Sequence, residues 1–231
     1  MLELAAGPGD TGFLAAELIA PGGTLISSDA VEEMVDQARA RAAELGIENV
    51  EFRTIDAEWI DLPTASVDAV VARWGYMLVA DPATALGETR RVLRPGGRVA
   101  LAAWTHPDDN PWASAPTAEL VAMRAVDPAD LDAPNMFAFR DPQRIQTLLE
   151  AAGFTDIAIE QIPIVFAYRS LDDWWDTQLD ISTSLARAVG ALTPAQRDDL
   201  RDALDARLAQ YVAQDGAVAL PGLTHVAAAS A

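Results

Sequence analysis

Strand-like apolar runs recur five times between Met1 and Trp104, separated by stretches with helical spacing. The runs are Met1 to Leu4, Thr24 to Ser28, Val50 to Ile55, Val67 to Ala72 and Val99 to Trp104. Parallel strands cannot be joined by tight turns and need crossovers, so this alternation calls for a parallel sheet with helices on both faces. Val67 to Ala72 is nearly all apolar, as expected of a strand buried on both sides. A first helix is predicted from Thr11 to about Ala20, capped by Asp10 or Thr11, with Phe13, Leu14, Leu18 and Ile19 on one face. Val31, Met34, Val35, Ala38, Ala42 and Leu45 mark a second helix, stopped by Gly46. Asp81-Pro82 opens a third, with the acid as cap and the proline in its first turn, and Pro95-Gly96-Gly97 ends it.

After Trp104 the pattern loosens. Residues 105–140 contain five prolines and no long periodic run. Asp141-Pro142 caps a helix ended by Gly153. Asp156 to Tyr168 alternates like a strand, and Pro163 places it at an edge or a bend. Residues 171–189 read as helical, Thr193 to Gln196 is a capping box for a helix to about Ala213, and Val226 to Ala229 is a last strand. The expected organisation is a nucleotide-fold core over 1–104. Cap or acceptor-side segments follow over 105–140 and 170–215, with the remaining helix and strands in 141–169 and 216–231.

The first strand runs into Gly7-x-Gly9-x-x-Gly12, and a helix follows. Gly7 and Gly9 let the backbone turn sharply and approach a ligand, because they carry no Cβ. Two ligands suit this loop. One is a dinucleotide, with Asp29 on its ribose 20 residues after Gly9. The other is S-adenosylmethionine, which has a ribose but no pyrophosphate, and whose ammonium and sulfonium favour an acid beside the loop. Glu3 stands there, four residues before Gly7. Carboxylates recur at the ends of successive strands as Glu3, Asp29 and Asp56, at the edge where open α/β sheets bind ligands. Asp29 suits two ribose hydroxyls and Asp56 an adenine amino group.

Composition removes other chemistries. The chain has no cysteine, so disulfides, thiolate metal sites and a cysteine nucleophile are excluded; two distant histidines suggest no metal site. All 16 basic residues are arginine, which excludes a Schiff-base lysine, a P-loop lysine and a Tyr-x-x-x-Lys pair. The net charge of −19 argues against nucleic acid as a partner. No apolar run reaches the ~18–20 residues of a membrane span. With no recognisable leader, a cytoplasmic location is expected.

The combined order of motifs resembles the class I S-adenosylmethionine-dependent methyltransferases, in particular the ubiquinone/menaquinone-methyltransferase-like (type 11) group. The resemblance lies in Leu2 to Gly12, Ser28-Asp29 with Met34, and Ile55 to Glu58. It continues through Ala72 to Met77, Asp81-Pro82 and Arg91 to Arg98, with a looser match at Ala151 to Phe154. It implies an α/β, Rossmann-like, doubly wound and mostly parallel seven-stranded sheet with helical cap insertions. The implied cofactor is S-adenosylmethionine, with S-adenosylhomocysteine as product.

The resemblance also assigns roles. Glu3, Ala5 and Gly7 line the methionine part, with Gly9 close by. Asp29 holds the ribose, with Met34 nearby, and Ala30 packs on adenine. Asp56 and Ala57 take the adenine, and Arg73 and Trp74 flank the sulfonium, Arg73 through its backbone. Ala5 stands where the family often has glycine. The family's N-terminal helices, which precede the first strand, are missing, so a truncated chain with weakened cofactor binding is expected.

The expected acceptor is a small apolar or aromatic molecule, because Trp104, Trp112, Met123, Met136, Phe137, Phe139, Tyr168, Trp174 and Trp175 fall largely outside the alternating core. His106 is the candidate general base, and His225 a weaker one. Asp108 to Trp112 is similar to a base-gripping motif of nucleic-acid amino-methyltransferases. It follows the fifth strand rather than the fourth, and is read as a turn. The alternatives are an NAD(P)-binding oxidoreductase and a non-catalytic cofactor-binding homologue.

Overall fold

The computed structural model describes residues 1–231. Its seven strands form one sheet in the order β3-β2-β1-β4-β5-β7-β6. They are β1 (Leu2–Glu3), β2 (Leu25–Asp29), β3 (Val50–Thr54), β4 (Val67–Arg73), β5 (Leu93–Trp104), β6 (Thr155–Tyr168) and β7 (Val218–Ser230). The first five are parallel and β7 runs antiparallel, so the sheet is the mixed, Rossmann-like one expected. β1 is only two residues long, yet it pairs on both sides: Glu3 lies opposite Ser27 of β2 and Val71 of β4.

The helices between the strands follow the expected signals, with three corrections. In α1 (Asp10–Ile19), neither Asp10 nor Thr11 is the cap. The chain enters from Gly9 in the left-handed region, without a side-chain cap, and the Asp10 carboxylate pairs with Arg41 and Arg73 instead. The buried face of α1 is Gly12, Phe13 and Ala16, while Leu14 and Leu18 are exposed, Leu18 by 85%. Leu14 and Leu18 share a stripe four residues apart, and spacing alone does not say which stripe meets the sheet. In α2 (Glu32–Leu45), Val31 is the exposed N-cap rather than part of the apolar face.

The later elements are longer or more numerous than the expected ones. In α3 (Pro82–Val92) the Asp81 carboxylate accepts from the N–H groups of Ala83 and Thr84, both at 3.1 Å. Pro95-Gly96-Gly97 lies inside β5, and Gly96 and Gly97 pair with the C-terminal Ala231. Any Cβ at Gly97 would lie 3.0 Å from the Asp68 carbonyl oxygen, so the strand pairs there only with glycine. The proline-rich 105–140 stretch contains a helix, α4 (Pro111–Ala122), with one proline at its start and Pro116 inside. α5 (Pro142–Ala151) is followed by α6 (Leu171–Ile181) and α7 (Thr183–Gly190). The Thr193/Gln196 capping box opens α8 (Pro194–Leu208), which stops short of Ala213.

The chain divides into two compact units. The first comprises Met1–Trp104, Leu131–Gln161 and His225–Ala231. Its core includes Leu2, Leu4, Leu25, Val70, Leu86 and Leu101. The second comprises Thr105–Asp130 and Ile162–Thr224, with a core of Trp174, Leu120, Leu200, Leu204, Leu208 and Leu220. Phe137 and Phe139 are buried residues of the first unit. No helix is long and apolar enough to cross a membrane.

Candidate functional site

Glu3 sits in the middle of the sheet and is only 2% exposed. Its Oε2 accepts a hydrogen bond from Ser27 Oγ at 3.2 Å, and its carboxylate also accepts from the backbone N–H of Gly12. A Cβ on Gly12 would lie 1.9 Å from Glu3 Oε2. The third glycine of the fingerprint is therefore required by a buried carboxyl tucked under the first turn of α1. Burial pushes that carboxyl up to about 7, against the opposing pull of the Ser27 and Gly12 bonds and of Arg73; Asp10 adds to the rise.

The loop above it turns through left-handed residues: Ala5 at φ 52°, Gly7 at 54° and Gly9 at 90°. The two inner glycines serve different ends. A Cβ on Gly9 would meet the Phe13 ring at 2.4 Å, whereas one on Gly7 would meet nothing within 4 Å. Gly9 thus makes room for Phe13, and the open side of the loop is at Gly7. Asp29, at the end of β2, ties the loop in place. Its Oδ2 accepts from Gly7 N–H at 2.9 Å and its Oδ1 from Val31 N–H at 3.0 Å. Each carboxylate oxygen has a further lone pair for a ligand hydroxyl. Ala30 beside it is exposed, and Met34 is half-buried in the first turn of α2.

Asp56 follows β3 and is exposed; its Oδ1 accepts from Glu58 N–H at 2.9 Å, with Ala57 between them half-buried. Trp59, in the same turn, leaves 77% of its surface exposed. Sequence reasoning singled out neither Trp59 nor Val31 as a site residue. The available signal was a large apolar side chain set in a turn directly after a strand-end acid.

Arg73 and Trp74 end β4. The Arg73 side chain is engaged as well as its backbone: it pairs with Asp10 at 3.3 Å and lies 4.5 Å from the Trp74 ring centroid. Trp74 has φ 60° and stacks on Trp104, with centroids 4.3 Å apart and planes at 19°. Asp10 also pairs with Arg41, whose guanidinium donates to the Pro8 carbonyl; the bond from Arg41 and that from Arg73 hold the Asp10 carboxyl below the usual carboxylate range. The two arginines fasten the glycine loop to α2 and β4. Behind it, a Cβ on Gly75 would lie 2.6 Å from that of Ala5, so the backbones there are in close approach.

All eleven sequence-predicted cofactor residues belong to the first unit and cluster at the carboxyl ends of β1 to β4. His106 belongs to the second unit and is exposed over about half of its side chain. Its Nδ1 lies 3.3 Å from Asp108 N–H, capping a short 3₁₀ turn, and 3.4 Å from Asp108 Oδ2. His225 is buried in the first unit, with Nε2 3.0 Å from the Arg140 carbonyl oxygen. The Asp108 to Trp112 stretch makes the 3₁₀ turn and the start of α4. Asn110 is fully buried there, donating to Thr105 Oγ1 and the His106 carbonyl and accepting from Trp112 Nε1 and Leu223 N–H. It is a packing keystone, which its sequence context did not reveal.

Three strand-end carboxylates around a glycine loop can hold a polyhydroxylated, partly cationic ligand. The family model that matches residues 1–153 is that of a methyltransferase domain. The chain is 31% identical over 199 residues to an arsenite methyltransferase of Halobacterium salinarum, covering 86% of this chain and 47% of that protein. It is 32% identical over 166 residues to a nocamycin O-methyltransferase of Saccharothrix syringae, covering 68% of this chain and 59% of that protein. The chain thus spans about half the length of these curated relatives. In fold it is similar to the YcgJ protein of Bacillus subtilis, with a TM-score of 0.61 at 22% identity over 99% of this chain and 90% of that one. The matched domain, the strand order and the glycine loop with its buried acid together show that this chain belongs to the class I S-adenosylmethionine-dependent methyltransferases.

Proposed function

We propose that this chain binds S-adenosylmethionine at the carboxyl ends of β1 to β4 and transfers its methyl group to a small apolar or aromatic acceptor. The observation that carries this reading is the arrangement of Glu3, Asp29 and Asp56 around a loop open at Gly7. Asp29, already fixed by two backbone N–H groups, offers its remaining lone pairs to the ribose hydroxyls. Asp56, held by Glu58 N–H, is exposed and free to accept from an adenine amino group. Ala30 and Ala57 border the ring, with Met34 beside the ribose. Glu3 braces the loop through Gly12 and supplies the negative potential that a methionine ammonium and sulfonium favour. A carboxylate in that place is unfavourable for a pyrophosphate, which sets the dinucleotide reading second.

When bound, the cofactor supplies an activated methyl group for in-line displacement. The chain's own work is alignment and exclusion of water. Arsenite, named for the Halobacterium relative, is a soft, thiolate-seeking centre, and this chain has no cysteine. An oxygen or carbon nucleophile on a small apolar or aromatic body suits a chain without thiols better. His106 enters the proposal as the group that takes the acceptor's proton once its bond to Asp108 opens.

Calorimetry tests the reading. S-adenosylhomocysteine should bind more tightly than NADH to the same sample; tighter NADH would overturn it. His106→Ala should lower kcat by about 10²-fold, within the usual range for a general base, with cofactor affinity unchanged. An unaltered kcat would assign His106 to its turn alone.

A further inference from the structure

A cavity lies at the β6 edge of the sheet. It measures about 540 Å³, within the size range of small-molecule sites, and every residue lining it belongs to the first unit. β6 ends the sheet three strand steps from β4, about 14 Å across the sheet. The cavity lies between the start of α5 and the face of β6 that carries Ile157 and Ile159, two residues apart and both half-buried. His225 of β7, 1% exposed, completes this floor, with its Nε2 3.0 Å from the Arg140 carbonyl oxygen. The rim carries three exposed carboxamides, Gln143 and Gln146 on α5 and Gln161 on β6. Gln146 is engaged with Glu150 at 2.8 Å, whereas the carboxamides of Gln143 and Gln161 are uncommitted.

The lining restricts what can enter. It holds no arginine, and the chain has no lysine, so nothing there pairs with a phosphate or a carboxylate. Its one acid is Asp141, whose Oδ1 caps α5 by accepting from Gln143 N–H at 2.9 Å. The positive end of the helix dipole offsets that charge, so a cation gains little either. A neutral ligand remains. A carboxamide sets a donor and an acceptor side by side, which matches an edge where an amino group adjoins a ring nitrogen, as glutamine meets adenine. A β-strand is a poor occupant. Asp156 turns through φ 51° at the start of β6 and Glu160 charges it, and both features guard a sheet edge against strand addition.

We propose that this cavity is a second ligand site, which binds a neutral purine base or nucleoside between Gln143 and Gln161, with the ring on Ile157 and Ile159. The amino group and adjoining ring nitrogen of the base pair with the carboxamides, and Asp141 turns phosphorylated nucleotides away. The site is separate from that of the methyl donor and does not depend on the methyltransferase reading. The probes are adenosine, purine riboside, which lacks the amino group, and adenosine monophosphate. Each is titrated into the full chain with S-adenosylhomocysteine in excess, so that the donor site is filled. Binding is followed on the Ile157 and Ile159 methyl signals in a ¹H–¹³C spectrum, identified by their loss in Ile157→Val and Ile159→Val. Adenosine should move these signals and bind about tenfold more tightly than purine riboside, the difference that one hydrogen bond makes. Adenosine monophosphate should bind about tenfold more weakly than adenosine. The double variant Gln143→Leu with Gln161→Leu should lose about tenfold or more in adenosine affinity. Both side chains are exposed, so it should melt as the wild type does. Asp141→Asn keeps the helix cap and should bind adenosine monophosphate more tightly than the wild type.

Isoleucine signals unmoved by adenosine up to millimolar concentration would overturn the proposal. So would equal binding of purine riboside, a smaller loss in the double variant, or adenosine monophosphate binding as tightly as adenosine. Failure of S-adenosylhomocysteine to bind the wild-type chain would instead strike the methyltransferase reading. The result at β6 would stand, because the two isoleucines report the cavity alone.

Discussion

Asp29→Ala should weaken S-adenosylhomocysteine binding by about a hundredfold or more while the chain stays folded. In the proposed cofactor site the carboxylate accepts from two ribose hydroxyls, and hydrogen bonds to a charged group contribute about 1.5–3 kcal/mol each. One tenfold step corresponds to about 1.4 kcal/mol, so loss of two such bonds gives at least two steps. The substitution also frees Gly7 N–H, now held at 2.9 Å, and Val31 N–H at 3.0 Å. The loop then has to be ordered by the ligand itself. Asp29→Asn should lose less, about tenfold, because the amide oxygen can still accept from Gly7. Titration calorimetry on the three proteins checks this. Wild-type affinity in Asp29→Ala would mean that the ribose is held elsewhere, and the carboxylate is only a turn brace.

Glu3→Gln should change how stability responds to pH. The buried Glu3 carboxyl titrates at about 7, against 4.5 when solvated. Between those values the folded chain binds more protons than the unfolded one, so stability falls as pH rises from about 4.5 to about 7 and then levels off. The total is on the order of 3 kcal/mol, given about 1.36 kcal/mol per pKa unit. A glutamine can accept from Gly12 N–H through its oxygen and donate to Ser27 Oγ, so the packing survives while the ionisation is gone. The variant should therefore lose this slope and exceed the wild type in melting temperature above pH 7. Its affinity for the sulfonium cofactor should be lower there, because the negative charge is missing. Arg73 and Asp10 are the charged groups facing Glu3; they act in opposite directions and leave burial as the governing cause. A wild-type stability curve flat between pH 5 and 7.5 would show that Glu3 is solvated in the folded chain.

Both results turn on the same local device. A two-residue strand delivers an acid to the sheet's centre, and glycines at 7, 9 and 12 build a loop over it. Their reasons differ, and mutagenesis should respect that. Gly12 accommodates the Glu3 carboxyl, Gly9 accommodates the Phe13 ring, and Gly7 turns through φ 54° with open space beside it. Ala5, at φ 52°, occupies the same left-handed region with a Cβ, which costs on the order of 1–2 kcal/mol.

Much of this architecture follows from the order of residues alone. Period-two and continuous apolar runs specify strands, three- and four-residue spacing specifies helices, and parallel strands force crossovers, so the sheet and its ligand edge were legible. The caps at Asp81, Asp141 and Thr193 were legible too, because capping depends on neighbours two or three residues away. Where partners are far apart in the chain, the sequence was silent. The exposed stripe of α1, the helix hidden behind Pro111 and Pro116, and the role of Asn110 all depend on what lies opposite them. The same holds for Glu3. Its sequence shows an acid before a glycine loop, but burial beneath Gly12, which raises its proton affinity, exists only once β1 is enclosed by β2 and β4. Local chemistry determined the elements and the kinds of group at their ends; tertiary packing decided which of those groups are desolvated, and so which can act.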